Sequence, residues 1–203
     1  MIFEIKQVEK DYHSAAFSAF KDGEHIGQFN LTGKFGSRDM HVTGILIDTP
    51  FFMSSSENVH TKENIRPYTI LNSIRPIGMI SQILDDGFTV NNFIYNEIEL
   101  NGKTYSQYSV ALGPGDVKFI LYENKKQIAL VERDNTEKGL NFRVYAENKN
   151  AAILSVISII YIYITSVYKP STKHQDATLL FSRPFGHVMA ERFDEEFKKT
   201  IKE

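Results

Sequence analysis

The side chains best suited to metal binding or acid–base chemistry are six histidines, and they are scattered along the sequence. A zinc site on one helix needs two histidines four residues apart with a nearby glutamate, because that spacing puts the ligands on one face. None of the histidines has this spacing. We therefore interpret them as surface or capping residues: His13, His25, His41, His60, His174 and His187.

Other short motifs do not predict a reaction either. The sequence lacks the Gly-x-Ser-x-Gly elbow of the hydrolases. Residues 113–116 (Gly-Pro-Gly-Asp) lack the Lys-Ser/Thr of a phosphate-binding loop and predict a turn. The acidic pair Asp85-Asp86 is followed by Gly87, which also favours a turn. The sequence therefore nominates no catalytic, cofactor-binding or metal-ligating residue, and we expect a protein that is not an enzyme.

Two basic doublets and one loop-like string are the candidate binding features. Lys125-Lys126 lies at a predicted hairpin tip, and Lys198-Lys199 lies near the end of the chain. Neither doublet reaches the roughly 4–8 basic residues typical of anionic-lipid recognition. Residues 182–187 (Ser-Arg-Pro-Phe-Gly-His) are interpreted either as a binding loop or as a tight turn. These patterns leave the identity of any binding residue open.

Composition limits the class of protein. The chain has 203 residues and no cysteine, which fits one medium-sized domain and excludes disulfides and thiolate sites. With 23 basic and 25 acidic residues the net charge is -2, so we expect no nucleic-acid partner. The N-terminus lacks the basic and apolar regions of a signal peptide. We therefore expect a cytoplasmic location, with membrane association as a further expectation.

Phenylalanine, tyrosine, isoleucine and valine are abundant and predict a mainly β fold. Asp22-Gly23 and Asn101-Gly102 predict tight hairpins over residues 14–31 and 95–112, because both pairs tolerate positive φ. Residues 33–40 and 53–64 are predicted loops, Pro50 is predicted to end the strand before it, and 74–84 is ambiguous. The remaining predicted strands are 2–8, 42–47, 68–71, 88–93, 117–123, 127–133 and 140–146, giving roughly ten in all.

The segment 151–168 is strongly apolar and contains no charged residue. As a helix it spans about 27 Å, close to the roughly 30 Å hydrocarbon core of a bilayer. Three interpretations stay open: a helix buried in the protein, a transmembrane helix, or buried strands favoured by β-branched residues. After it, residues 177–181 predict a strand. Residues 189–201 predict a short amphipathic helix with Phe193, Phe197 and Ile201 on one face.

The strand, charged turn and strand of residues 117–133, the strand at 141–146 and the apolar segment after it resemble the tubby C-terminal-like superfamily. That group includes plant LURP-one-related proteins, phospholipid scramblases and small bacterial proteins. The resemblance implies a closed antiparallel β-barrel of about twelve strands around a central hydrophobic helix at 151–168. We expect one domain over 1–203 with a C-terminal extension from about residue 170; the apolar helix is not C-terminal and an ordered tail with the short predicted helix follows it, which departs from the simplest family pattern.

The function implied by this resemblance is binding to a membrane surface, a lipid or a protein partner, without catalysis, cofactor or metal. Eukaryotic tubby domains bind phosphoinositides through basic residues, but no positions of this sequence match that site, so no residue is carried over. One alternative is an integral membrane protein with a cytosolic β-domain, anchored by a transmembrane helix at 151–168. A third hypothesis is an enzyme of an unrecognised type, for which the sequence nominates no residues.

Overall fold

The computed structural model describes residues 1–11, 13–33, 40–55, 64–85, 93–111, 117–134, 140–167 and 193–201. Within these residues, twelve antiparallel strands form a closed barrel. Each strand pairs with its neighbours in sequence, and the first pairs with the last, from Ile2 opposite Tyr145 to Lys6 opposite Asn141. The predicted mainly β fold and closed twelve-stranded barrel are therefore confirmed.

The strands are between six and eleven residues long. Both hairpins predicted from Asp22-Gly23 and Asn101-Gly102 are present, with positive φ at all four turn residues. The strands are β1 (Ile2–Lys10), β2 (Ser14–Lys21), β3 (Glu24–Thr32), β4 (His41–Leu46), β5 (Thr49–Ser55), β6 (Asn64–Asn72), β7 (Arg75–Asp85), β8 (Phe93–Leu100), β9 (Lys103–Ala111), β10 (Val117–Glu123), β11 (Lys126–Asp134) and β12 (Asn141–Ala146).

Strand β5 is the element that the sequence prediction missed. Pro50 does not end the preceding strand but lies inside β5, opposite Ile45. The turn before it is Ile47-Asp48, with φ of 48° and 58°, and isoleucine rarely adopts that conformation. The side chain of Ile47 packs against the core, which offsets the strain of the turn. The predicted loop at 53–64 was wrong at both ends, since 53–55 belong to β5 and residue 64 to β6.

Strand β6 is longer than the predicted strand at 68–71 because Pro67 does not precede it but lies within it. The pairing with β7 shifts register between Ile65 and Tyr68. A proline at such a bulge is tolerated, since the regular hydrogen-bond ladder is already interrupted there. The ambiguous residues 74–84 contribute to β7.

Alternate residues of the strands are buried together in one hydrophobic core, as the period of two predicts. Gly44 lies directly between Phe29 and Phe51 in the strand register, and the two rings have centroids 5.7 Å apart. A Cβ atom on Gly44 would lie 2.6 Å from Cζ of Phe51 and 2.8 Å from Cδ1 of Phe29. The glycine therefore leaves the space that the two rings fill.

The apolar segment is helical, so the interpretation of residues 151–168 as strands was wrong. Helix α1 spans Lys149–Ile162 and continues as a π-helical turn over Tyr163–Val167. It begins before the predicted residue 151 because Asn148 caps it, with Oδ1 accepting a hydrogen bond from the Ala151 N–H at 3.0 Å. Residues 168–170, where the sequence predicted its end, lie outside the described residues.

Almost every side chain of α1 from Ala151 onward is buried in the same core as the strand residues. The helix lies closest to β10, β11 and β12. Beyond them, Tyr161 packs edge-on against Tyr68 of β6 at 5.8 Å, and Tyr163 packs edge-on against Phe17 of β2 at 5.1 Å. No helix in the described part of the chain is long and apolar enough to cross a membrane.

Two serines of α1 are fully buried and differ in their hydrogen bonding. The hydroxyl of Ser155 donates to the carbonyl oxygen of Ala151 at 2.8 Å. The hydroxyl of Ser158 is also buried but has no hydrogen-bond partner within the described residues. A buried polar group without a partner lowers stability.

The C-terminal segment, defined here as residues 193–201, packs on the outside of the barrel. Its helix α2 spans only Phe197–Thr200, so the predicted helix over 189–201 was wrong for residues 193–196. The carboxylate of Asp194 accepts a hydrogen bond from the Glu196 N–H at 2.9 Å, which favours a turn there. As predicted, Phe193, Phe197 and Ile201 share one apolar surface.

Several predicted features lie outside the described residues. These are the loop residues 34–39, residues 56–63 of the predicted loop at 53–64, residues 86–92 with part of the predicted strand at 88–93, the turn at 113–116, and residues 168–192 with the predicted strand at 177–181.

Candidate functional site

The histidines that the structure describes do not converge. His13 lies in the turn after β1, where its backbone N–H donates to the Asp11 carboxylate. His25 packs edge-on against Phe20 at 5.6 Å, and His41 begins β4. Across the described ranges, no three His, Asp or Glu side chains are grouped to hold a metal ion. His60, His174, His187, Asp86 and the string 182–187 fall outside those ranges, and Asp85 ends β7 opposite Phe93.

The two basic doublets are placed differently, and three of their four lysines are in ion pairs. Lys125 is exposed in the β10–β11 turn, whereas Lys126 pairs with Glu147 at 2.7 Å. Lys198 pairs with Glu132 at 3.2 Å and Lys199 pairs with Glu196. Neither doublet forms a free cationic patch.

A groove on the outer side of β1, β2 and β12 has a volume of about 560 Å³. Phe3 and Ile5 of β1 are buried in the core, so strand alternation turns Ile2, Glu4 and Lys6 to the outside. The lining residues are Ile2, Phe3, Glu4, Lys6, Phe20, Lys21, Asp22, Gly23, Arg143 and Tyr145.

Strand register brings these residues together from both ends of the sequence. Glu4 lies opposite Phe20 of β2 on one side and opposite Arg143 of β12 on the other. The tight turn at Asp22-Gly23 adds Lys21 and Asp22 to one end of the groove. The site therefore exists only because the barrel closes between its first and last strands.

The groove carries three basic and two acidic side chains. Lys6 lies 3.5 Å from Glu4, and Lys21 lies 3.8 Å from Asp22. Arg143 is exposed and makes no ion pair with any described residue. Arg143 lies between two carboxylates in the sheet, Glu4 and Glu132, but makes an ion pair with neither.

Both acidic neighbours of Arg143 in the sheet pair with lysines, Glu4 with Lys6 at 3.5 Å and Glu132 with two others. Glu132 of β11 lies opposite Arg143 in the register. Its carboxylate is paired instead with Lys118 at 3.7 Å and with Lys198 at 3.2 Å. Glu132 is therefore not the ion-pair partner of Arg143.

Aromatic rings form the apolar part of the groove. Phe20 is half-buried on β2, and Tyr145 is half-buried on β12. Burial, followed by the Glu132 carboxylate, raises the pKa of Tyr145, so its phenol stays neutral at physiological pH. Together with Arg143, these rings can bind an anionic group that carries apolar or planar atoms.

The sequence prediction named Asp22-Gly23 only as a hairpin turn and proposed no residue of this groove as a binding residue. The outward positions of β1 and β12 follow from their alternation, so Glu4, Lys6, Arg143 and Tyr145 were identifiable as surface residues. Their proximity was not, because nothing local to either strand indicates that residues near 4 and 143 are neighbours.

No family model, curated protein or solved structure matches this chain.

Proposed function

We propose that the chain is a non-enzymatic binding protein of the tubby-like barrel class, with α1 inside the barrel as its central hydrophobic helix. The central position of the helix is supported by hydrogen bonds between the helical segment and strands that lie far apart around the barrel. Asn150 donates to the Tyr105 hydroxyl of β9 at 3.1 Å, and the Tyr163 hydroxyl accepts from Gln7 of β1 at 3.0 Å. Twelve strands enclose more space than their own side chains fill, and a helix that is apolar on all sides supplies the missing volume.

We further propose that the groove binds an anionic lipid headgroup at a membrane surface. The observation that carries this proposal is the exposed Arg143 guanidinium, which makes no ion pair within the described ranges and lies beside the rings of Phe20 and Tyr145. The chain as a whole is acidic, with a net charge of -2, so attraction to an anionic surface must come from a local patch. The aromatic rings suit the interface, where one part of a ring is apolar and its edge is hydrated.

Vesicle flotation tests this proposal with the full chain. Vesicles of phosphatidylserine mixed with phosphatidylcholine are compared with vesicles of phosphatidylcholine alone, using wild type, Arg143→Gln, Lys21→Gln and the control Lys10→Gln. Lys10 is exposed at the far end of β1, outside the groove. We expect Arg143→Gln and Lys21→Gln each to weaken binding about fivefold, since one basic residue near an anionic surface contributes about 1 kcal/mol, while Lys10→Gln stays at the wild-type level. Equal flotation with both vesicle types, or an unchanged Arg143→Gln variant, would overturn the proposal.

A further inference from the structure

A second apolar cluster lies on the outer side of the barrel, separate from the core. Its buried barrel members are Tyr108 of β9, Ile120 and Tyr122 of β10, and Leu130 of β11. Tyr108 packs edge-on against Tyr122, with ring centroids 5.7 Å apart, and stacks on Tyr95 of β8 at 5.2 Å. Outward positions of a barrel are usually polar, so an aromatic and aliphatic surface of this kind indicates a binding face. We call it the aromatic face.

The C-terminal segment covers this face through three apolar side chains. Phe197 is buried in the cluster, with 4 % of its surface exposed, and Phe193 and Ile201 pack at its margin. The three positions are four residues apart in the sequence. Regularly spaced apolar anchors of this kind are how short amphipathic segments occupy grooves on other proteins.

Polar contacts fix the position of the segment on the barrel. The backbone N–H of Asp194 donates to Oε1 of Gln127 at 3.1 Å. Lys198 pairs with Glu132 at 3.2 Å, and the ammonium group of Lys118 lies 5.8 Å from the ring centre of Phe193. A bound peptide would make contacts of the same kinds in addition to burying its apolar side chains. These contacts are one backbone hydrogen bond, one ion pair and one cation–π contact.

The segment contributes little structure of its own. Its helix has a single turn, and its N-cap residue Glu196 makes no side-chain capping hydrogen bond. A helix this short is not stable without its tertiary contacts. Its buried surface belongs to the outer cluster and not to the core inside the barrel, so its release leaves the core contacts intact. Regions with few buried contacts open at low free-energy cost.

We infer that the aromatic face is a peptide-binding site and that the C-terminal segment is its resident, displaceable ligand. The site recognises a short segment with apolar anchors at intervals of four residues and a basic residue directly after the middle anchor, where Glu132 receives it. In the structure, the C-terminal segment of the same chain occupies this site. This inference does not depend on the proposed lipid-binding groove.

The test uses the full chain and a fluorescein-labelled peptide of residues 193–201, with fluorescence anisotropy as the measurement. Phe197→Asp removes the buried anchor of the resident segment, and Thr200→Asp adds the same charge at an exposed position of the same helical turn. We expect the Phe197→Asp protein to bind the peptide at least about tenfold more tightly than wild type or Thr200→Asp, because their tethered segment competes at a high effective concentration. A peptide carrying the Phe197→Asp change should bind to none of the three.

Two outcomes would overturn the inference. One is a Phe197→Asp protein that keeps its circular dichroism spectrum and still fails to bind the wild-type peptide. The other is peptide binding of equal strength to wild type and Phe197→Asp. If the Phe197→Asp protein does not fold, hydrogen exchange of the wild-type chain tests the inference instead. Amides of residues 197–201 should then exchange much faster than those of β10 and β11, and equal protection would show that the segment is a fixed part of the fold.

Discussion

The unpaired hydroxyl of Ser158 predicts that removing it stabilises the protein. Ser155 provides a matched control, since both serines are fully buried in α1 and, within the part of the chain that the structure describes, only the Ser155 hydroxyl has a hydrogen-bond partner. We compare Ser158→Ala with Ser155→Ala. Both substitutions remove one oxygen atom, and both gain about 0.5 kcal/mol of helix propensity, so these effects cancel in the comparison.

The remaining difference is the state of the hydroxyl. Burying a polar group without a partner costs about 1–3 kcal/mol, and a satisfied hydrogen bond contributes about 1 kcal/mol. Ser158→Ala should therefore stabilise the fold by about 1 kcal/mol, and Ser155→Ala should destabilise it by about 1 kcal/mol. The difference of about 2 kcal/mol corresponds to about 4–8 °C in melting temperature for a chain of this size.

Urea unfolding provides the assay, with far-ultraviolet circular dichroism and tyrosine fluorescence as probes, because the chain has ten tyrosines and no tryptophan. The free energies of unfolding are compared only if the two variants have the same m-value, the slope of free energy against urea concentration. Equal m-values show that unfolding exposes the same amount of surface in both variants. If both variants change stability by the same amount, or if Ser158→Ala destabilises the protein, then the Ser158 hydroxyl has a hydrogen-bond partner in solution and the prediction is wrong.

Three further predictions concern the turns, the core and pH. Lys125 is exposed and has a φ of 70°, which is unfavourable for any residue except glycine. Lys125→Gly should therefore stabilise the protein by about 1 kcal/mol, measured by urea unfolding. The control Lys126→Gly, in β11, should destabilise it. Gly44→Ala should destabilise the protein by about 1–3 kcal/mol, because the added methyl group overpacks the core. The near-ultraviolet circular dichroism spectrum should change as well. A variant as stable as wild type would contradict this prediction. Burial, followed by the Glu99 carboxylate, raises the pKa of Glu97. A raised carboxyl pKa means that the ionised form is disfavoured in the fold, so Glu97→Gln should stabilise at pH 7 and lose this gain below about pH 4, where Glu97 is protonated in both states. Equal gains at both pH values would exclude this cause.

The architecture was predictable where local chemistry is strong. Asp22-Gly23 and Asn101-Gly102 fixed two hairpins, because few other residue pairs tolerate positive φ at both positions. The apolar segment at 151–168 was predictable as a helix or as strands, and the structure decides for a helix, with Asn148 as its cap.

The prediction failed where tertiary packing overrides local preference. Ile47-Asp48 is not a turn sequence by composition, yet burial of Ile47 against the core holds it in the turn. Pro50 and Pro67 lie inside strands because a neighbouring turn or bulge accommodates them. The groove was not predictable at all, because it combines side chains from β1 and β12 that only barrel closure brings together.

The pairing of β1 with β12 also determines how this protein can meet other chains. The ring of described strands has no unpaired backbone edge, and many sheet proteins capture extended peptides by adding them as a strand at such an edge. That mode of recognition is closed to the intact barrel, as is edge-to-edge aggregation. A partner that binds the described strands is therefore selected by their outward side chains. A substitution that loosens the seam between β1 and β12 would therefore expose two strand edges at once and give the chain a route to intermolecular strand pairing.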